Sequence, residues 1–287
     1  MKRIPLKERI RLTSGQGNWH LFESEHVEGR RINVADGPHG VRVYGERVED
    51  GDFLSKQYLK PTTLFPCESA MASTWNRSLI GEVGRTIGRE CRHHQVDVLL
   101  GPGMNLKRSP LGGRNFEYYS EDPYLTAEMG QSFVEGVQSE QVGACIKHFG
   151  LNEQETMRRF VDVNVDERTM HEMYLYPFYK VIKKADPWMV MSSYNRLNGD
   201  YASESSLLLQ DVLRKQWGYE GVVVSDWGAV QDKVKSIKNG MNIEMPGPSS
   251  FEDEVSYALE KGILSEDELD ASLKPLFDMH EKVKTIK

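Results

Sequence analysis

The sequence predicts an α/β protein built on a mostly parallel sheet, and three features lead to that class. Short apolar runs alternate with amphipathic helical stretches along the whole chain. One run, Val222-Val223-Val224, has the unbroken apolar character of a strand buried on both faces, as parallel strands are. Polar or charged residues follow several of the runs directly, where such folds keep their chemistry. The candidate strands cover 32–35, 96–100, 144–146, 189–192, 222–224 and 241–245. Six runs do not demonstrate closure into an eight-stranded barrel. An open doubly wound sheet accommodates them equally, although no glycine-rich phosphate fingerprint follows the first.

The helices between the strands announce themselves by caps and periodicity. Asp122 and Pro123 supply an N-cap and a first-turn proline, and Leu125, Met129, Phe133 and Val137 then recur on one face. Asp166 is placed to cap a helix through Met173, Leu175, Phe178 and Ile182, and Ser203 or Ser205 to open one that stops at Gly218. Ser265 and Glu268 form a capping box for a last helix that buries Leu269, Leu273, Leu276 and Phe277. No linker-like stretch, repeat or low-complexity segment divides the 287 residues, so one domain spanning 1–287 is expected.

The balance of 36 basic against 43 acidic residues, a formal charge of -7, offers no footprint for nucleic acid or an anionic membrane surface. The first residues, Met1 to Arg9, hold no apolar core of signal-peptide length and no later run reaches membrane-spanning length, which reads as a soluble, cytoplasmic chain. Cys67, Cys91 and Cys145 form an odd set without metal-ligand spacing and read as buried thiols of a reducing compartment. His93 and His94 do not share a helix face, so no metal is expected there, and no cofactor is implied.

At or just after the strand ends stand Asp36, Arg114 in a long loop over 101–121, Lys147 with His148, Tyr194, Asp226 and Glu244. This is the equipment of a pocket for an uncharged polyol: acceptors for paired hydroxyls, charged donors, and an aromatic face for C–H patches. Asp36 suits vicinal hydroxyls, Arg114, Lys147 and His148 are donors, and Trp227 offers a stacking surface. Cations at Arg114, Lys147 and Arg158 would keep Asp36 and Asp226 ionised, the state required for attack at an anomeric carbon. Each residue also has a plainer reading. Asp226 can cap a helix, Lys147-His148 can pair with a helix end, Arg158 can pair with Glu155, and Asp36 to Gly40 can be a simple turn. Trp19, Tyr118, Tyr119 and Trp188 read as packing residues.

With these motifs assembled, the chain resembles the N-terminal barrel of glycoside hydrolase family 3, the family of many β-glucosidases and β-xylosidases. The resemblance runs through Asp36-Gly37-Pro38-His39-Gly40-Val41-Arg42, Gly113-Arg114-Asn115-Phe116-Glu117-Tyr118-Tyr119-Ser120-Glu121-Asp122-Pro123, Lys147-His148-Phe149, Asn152 to Arg158, Ser193-Tyr194-Asn195, Val223 to Ala229 and Glu244-Met245-Pro246-Gly247. It implies a (β/α)8 TIM-type barrel, irregular or incomplete, and a retaining mechanism with Asp226 as nucleophile. It assigns glycone binding to Asp36, Arg114, Lys147, His148 and Arg158, with Tyr194 beside the nucleophile and Trp227 lining the subsite. Glucose is the implied glycone, and a β-linked oligosaccharide or aryl glycoside the implied substrate.

Family members of this type draw a glutamate acid/base from a sandwich domain that follows the barrel, and this sequence runs only to Lys287. A single-domain branch instead uses a histidine and an aspartate soon after Lys-His-Phe. Here that loop reads Gly150-Leu151-Asn152-Glu153-Gln154-Glu155, without such a histidine. The expected chain is therefore a β-glycosidase barrel, weak alone on poor leaving groups, with Glu117, Glu153 and Glu155 the first candidates for an acid inside it. The alternative is a catalytically silent carbohydrate-binding module, or a half-enzyme needing a partner chain.

Overall fold

The computed structural model describes residues 3–44 and 59–286. Its strands are β1 (His20–Leu21), β2 (Ile32–Asp36), β3 (Val98–Leu100), β4 (Gly143–Phe149), β5 (Asp162–Val163), β6 (Met189–Ser192), β7 (Arg196–Leu197), β8 (Asp200–Tyr201) and β9 (Val222–Ser225). The α-helices are α1 (Leu6–Leu12), α2 (Glu68–Ala72), α3 (Arg77–His93), α4 (Pro123–Gln138), α5 (Glu167–Thr169), α6 (Tyr176–Ala185), α7 (Lys233–Lys238), α8 (Glu252–Glu260) and α9 (Glu266–Thr285). A π-helical segment, Leu207–Gln216, stands before β9.

The main sheet has the order β1-β2-β3-β4-β6-β9 and is parallel except for β1, which runs antiparallel to β2. Single bridges carry it further: Val224 pairs with Ile243, Glu244 with Ser14, and Gln16 with His20 of β1. Those bridges return the sheet to its own first strand. The architecture is thus an irregular α/β barrel, closed by isolated bridges rather than by full strands. β5, β7 and β8 form a small separate sheet.

Alternation along the strands divides the apolar residues into two cores. Ala35, Leu99, Ala144, Ile146, Val190 and Val223 face the helices, where they meet Ile80 and Ile87 of α3, Phe133 and Val137 of α4 and Phe178 of α6. Ile32, Val34, Val98, Leu100, Cys145, Met189, Met191, Val222 and Val224 form the other set, with Leu273, Leu276 and Met279 of α9. Continuing that second set by steps of two reaches Asp36, Lys147 and Asp226, so a period of two aims three ionisable groups into the curl at the carboxyl ends of its strands.

Asp122 accepts from Leu125 N at the start of α4, Asp166 from Thr169 N at α5, and Ser265 and Glu268 make both halves of the capping box at α9. Four expectations are corrected. The 96–100 run becomes a strand only at Val98, because the Asp97 carboxylate bonds Asn33 N and Arg30. The 241–245 run contributes only the bridges at Ile243 and Glu244, since the Asn242 side chain takes Val223 N at 2.6 Å and Pro246, following directly, has no N–H to offer. The helix begun at Asp166 widens into a π turn over Met170–Tyr174 before α6, where Pro177 lacks the N–H a regular turn needs. The helix expected after Ser203 or Ser205 winds as the π segment from Leu207, with Leu208 N bonded to Ser205 Oγ. No helix among the described residues is long and apolar enough to cross a membrane.

Candidate active site

Asp226, one residue beyond β9, is the centre of a buried ionic cluster. Its Oδ1 accepts the N–H of Trp227 at 2.7 Å, which fixes the carboxyl plane. Its Oδ2 is buried and accepts no hydrogen bond from any described residue. His148 Nε2 stands 3.6 Å from that oxygen and Arg114 Nη1 3.9 Å. One oxygen is pinned and the other is free, the geometry of a carboxylate prepared to form a bond.

Around it the charges are paired. Arg114 forks onto Glu117, Nε to Oε1 at 2.8 Å and Nη2 to Oε2 at 2.9 Å. Lys147, 2% exposed, reaches Asp36 Oδ1 at 2.7 Å and Glu117 Oε2 at 3.6 Å. Arg42 stands 3.6 Å from Asp36 Oδ2. The loop carrying Arg114 and Glu117 is held to β4 because Gly103 bridges Lys147 on one side and Tyr118 on the other. A Cβ at Gly103 would lie 2.4 Å from Glu117 O and 2.7 Å from the Tyr118 ring, so only glycine permits that approach.

The expectation that cations hold both aspartates down is met at one of them. Burial pushes the Asp36 carboxyl up, but Lys147 and the Gly37 N–H outweigh it and leave it below its ordinary value. At Asp226 burial wins over Arg114, the Trp227 N–H, Tyr194 and Lys147, and the carboxyl sits above its ordinary value. The difference is geometric: Asp36 has a cation at 2.7 Å, whereas the closest cation to Asp226 among the described residues is at 3.9 Å. Burial and the nearby Arg114, Lys147 and Arg158 hold His148 far below the usual imidazole range, so it is neutral.

Asp36, Arg114, Lys147, His148 and Asp226 thus come together. Tyr194 flanks them, its hydroxyl donating to Trp227 O at 3.1 Å and its ring under Arg158 at 4.4 Å and Arg159 at 4.8 Å. Arg158 also bonds Glu155 Oε2 at 2.9 Å, the plainer pairing foreseen for it. Trp227 is half-buried beside Trp19, ring centroids 5.8 Å apart, and Trp19 stacks on Tyr44 at 5.3 Å. Glu244 lies apart from the cluster, bound to Lys233 at 3.2 Å and Ser249 at 2.7 Å.

Trp19 packs against the inner core with its ring tilted beside Trp227, and Tyr118 is buried as expected, although its hydroxyl also meets His148 Nδ1 at 3.0 Å. Tyr119 packs within the helix-side core and Trp188 against the inner one. Sequence reasoning did not single out Arg42 or Asn105, although Arg42 lies within the Asp36 motif. The Asn105 side chain clamps the His148 backbone, donating to His148 O at 3.1 Å and accepting from His148 N at 2.8 Å.

Residues 24–278 match the model of the glycosyl hydrolase family 3 N-terminal domain. The chain belongs to glycoside hydrolase family 3. It is 46% identical over 275 residues to thermostable beta-glucosidase B of Acetivibrio thermocellus, covering 96% of this chain and 36% of that protein. It is 42% identical over 284 residues to an exo-alpha-(1->6)-L-arabinopyranosidase of Bifidobacterium longum, covering 99% of this chain and 37% of the relative. The structure of beta-glucosidase 3B from Thermotoga neapolitana in complex with alpha-D-glucose superposes with a TM-score of 0.91 at 42% identity, over 98% of this chain and 42% of that one. The chain therefore spans little more than a third of the length of these curated relatives.

Proposed function

We propose that residues 1–287 form one family 3 barrel domain that carries the nucleophile and glycone site of a retaining β-glycosidase acting on terminal β-D-glucosides. The observation that carries this reading is the Asp226 carboxyl, with Oδ1 held by Trp227 N and Oδ2 unbonded beside His148 and Arg114. Oδ2 attacks the anomeric carbon, the glycosidic C–O bond breaks, and a covalent glycosyl-enzyme results, which water then hydrolyses. Asp36 and Lys147 receive hydroxyls of the sugar, Arg114, His148 and Arg158 add donors, Tyr194 flanks the nucleophile and Trp227 stacks on the ring. The kinship with an arabinopyranosidase makes L-arabinopyranosides the first competing glycone to assay. Three free thiols favour a reducing, cytoplasmic setting.

Among the described residues the three candidate acids are committed elsewhere. Glu117 is locked between Arg114 and Lys147, and Glu155 between Arg158 and Asn152. Burial raises the Glu153 carboxyl to about 7, but its Oε1 faces Asn105 and Leu106 N rather than Asp226. The leaving-group proton is thus assigned to a group outside these residues, in sequence that the longer relatives carry or on a partner chain. Leu64, Leu111 and Met157, each at least two-thirds exposed, stand on the loops around the barrel mouth and supply apolar surface for such a contact.

The test is intact mass spectrometry after incubation with 2,4-dinitrophenyl 2-deoxy-2-fluoro-β-D-glucoside, whose leaving group needs little protonation. The expected result is one stable adduct on the peptide containing Asp226, absent in Asp226→Ala. Glucose binding without any adduct would refute the nucleophile assignment and favour a silent binding module.

A further inference from the structure

We infer that Tyr118 is a positioning residue that fixes the tautomer of His148, placing its single ring hydrogen on Nε2, where it faces Asp226 and the sugar. The inference deepens the glycosidase reading in naming what Nε2 meets, whereas the tautomer itself follows from the hydrogen-bond network alone.

His148 is 1% exposed, so its ring nitrogens must find partners inside the protein. The charged groups around it are Arg114, Lys147 and Arg158, which oppose a second proton, and Asp226, whose Oδ2 stands 3.6 Å from Nε2. A neutral imidazole has one donor nitrogen and one acceptor, and the hydrogen bond at the first decides the second. At Nδ1 the partner is the Tyr118 hydroxyl, 3.0 Å away and able to donate or accept.

The ambiguity is removed one residue further out. Asn152 Nδ2 lies 3.3 Å from the Tyr118 oxygen and 3.1 Å from Glu155 Oε1. A carboxylate only accepts, which identifies the atom between them as the amide nitrogen, and Arg158 at 2.9 Å from Glu155 Oε2 holds that carboxylate in place. The Tyr118 oxygen therefore accepts from Asn152, and its own hydrogen goes to Nδ1. If Nδ1 carried the hydrogen instead, the buried Tyr118 hydroxyl would lose its acceptor and an imidazole lone pair would face the Asp226 carboxylate. An unpaired buried hydroxyl alone biases the tautomers by at least about five-fold.

Both ends of the relay are held. The Asn105 clamp fixes the His148 backbone, and the close approach of Gly103 to the Tyr118 ring fixes the phenol. The sequence Arg158, Glu155, Asn152, Tyr118, His148 is thus a continuous line of hydrogen bonds from the loop after β4 to the His148 ring, whose Nε2 stands 3.6 Å from the free oxygen of Asp226. At its end the Nε2 hydrogen of His148 points toward Asp226 Oδ2 without reaching it, at 3.6 Å, and is left to donate to a sugar hydroxyl when the site is filled.

The test is long-range 1H–15N correlation spectroscopy of the whole chain labelled at histidine, with His148 assigned by its disappearance in His148→Asn. The expected wild-type signal is a neutral ring with hydrogen on Nε2, unchanged from pH 8 to pH 5. A hydrogen on Nδ1, or an imidazolium appearing in that range, would overturn the inference without recourse to any variant. In Tyr118→Phe the resonance should move toward a mixture of tautomers, and glucose affinity by calorimetry should fall roughly five-fold. An unchanged Nε2–H ring in that variant would equally overturn it. Absence of glucose binding by the wild type would defeat the glycosidase reading and leave the tautomer result standing.

Discussion

Replacing Glu117 by glutamine probes the ionic cluster at its most connected point. The substitution keeps shape but removes one charge that two buried cations share, Arg114 through contacts of 2.8 and 2.9 Å and Lys147 at 3.6 Å. The amide also turns an N–H₂ toward one arm of the guanidinium, where donor meets donor. Removing one partner of a buried pair costs roughly 3–5 kcal/mol. The low end applies here, about 3 kcal/mol, because Lys147 keeps Asp36 at 2.7 Å and Arg114 can lean toward Asp226. With a urea slope near 3 kcal/mol per M, the midpoint at pH 7 should fall by about 1 M. The pH dependence supplies the sign. Burial pushes the Glu117 carboxyl up, but Lys147 and Arg114 more than offset this and leave it below its ordinary value. A depressed carboxyl stabilises above its unfolded pKa and loses that contribution as pH falls through the folded value. The gap between wild type and Glu117→Gln should therefore be full at pH 7 and close as pH drops below ~4. A variant within about 0.5 kcal/mol of wild type at pH 7 would refute the argument, as would a gap that persists undiminished in acid.

Lys147→Met should weaken glucose binding by at least about ten-fold and, by freeing Asp36 from its cation, move the acid limb of calorimetric binding to higher pH; an unshifted limb counts against the pairing. Lys233, buried against Glu244 and Thr13 O, has its amine lowered by burial from 10.5 to about 8. The unfolded chain then binds the extra proton between those values, so wild type should gain stability relative to Lys233→Met as pH rises from 8 to 10.5, by up to roughly 3 kcal/mol in urea titrations. Glu153, raised to about 7 by burial, works in the opposite sense: its folded form holds a proton that the unfolded form has lost above the ordinary carboxylate range. Glu153→Gln should accordingly raise the melting temperature at pH 8 and leave it nearly unchanged at pH 4, and a variant less stable at pH 8 would show that the charged form is preferred.

Legibility in the sequence followed the range of the interaction. The strand over 189–192 and the caps at Asp122, Asp166 and Ser265 depend on neighbours within a few residues, and the chain states them directly. β1 is two residues long and antiparallel, and the bridges at Ser14 and Glu244 join opposite ends of the described chain. No local pattern encodes either, so barrel closure was invisible. The same limit hid Tyr118, whose role is set by a partner 30 positions away, and inverted the expectation for Asp226. Distances of 2.7 and 3.9 Å separate a depressed carboxyl from a raised one, and residue types alone do not contain them. Glu117 had a local signal, standing three residues from Arg114 across a single 3-10 turn, which favours an ion pair over a free acid.

The site and the barrel interior are products of one alternation. Steps of two along β2, β4 and β9 place Ile32, Val34, Cys145, Val222 and Val224 inside, and the next step on each strand delivers Asp36, Lys147 and Asp226. A one-residue slip of any strand would turn its apolar set outward and withdraw its ionisable group together. Burial of the methyls therefore enforces the register that brings the three groups together. The charges nevertheless oppose folding unless they are balanced, since each lies out of water. The pairing of Lys147 with Asp36, and of Arg114 with Glu117, answers that demand and leaves Asp226 Oδ2 without a hydrogen bond from any described residue. Every other carboxylate of the cluster has a cation within hydrogen-bonding distance. The proposed nucleophile is the group that the fold buries and does not neutralise.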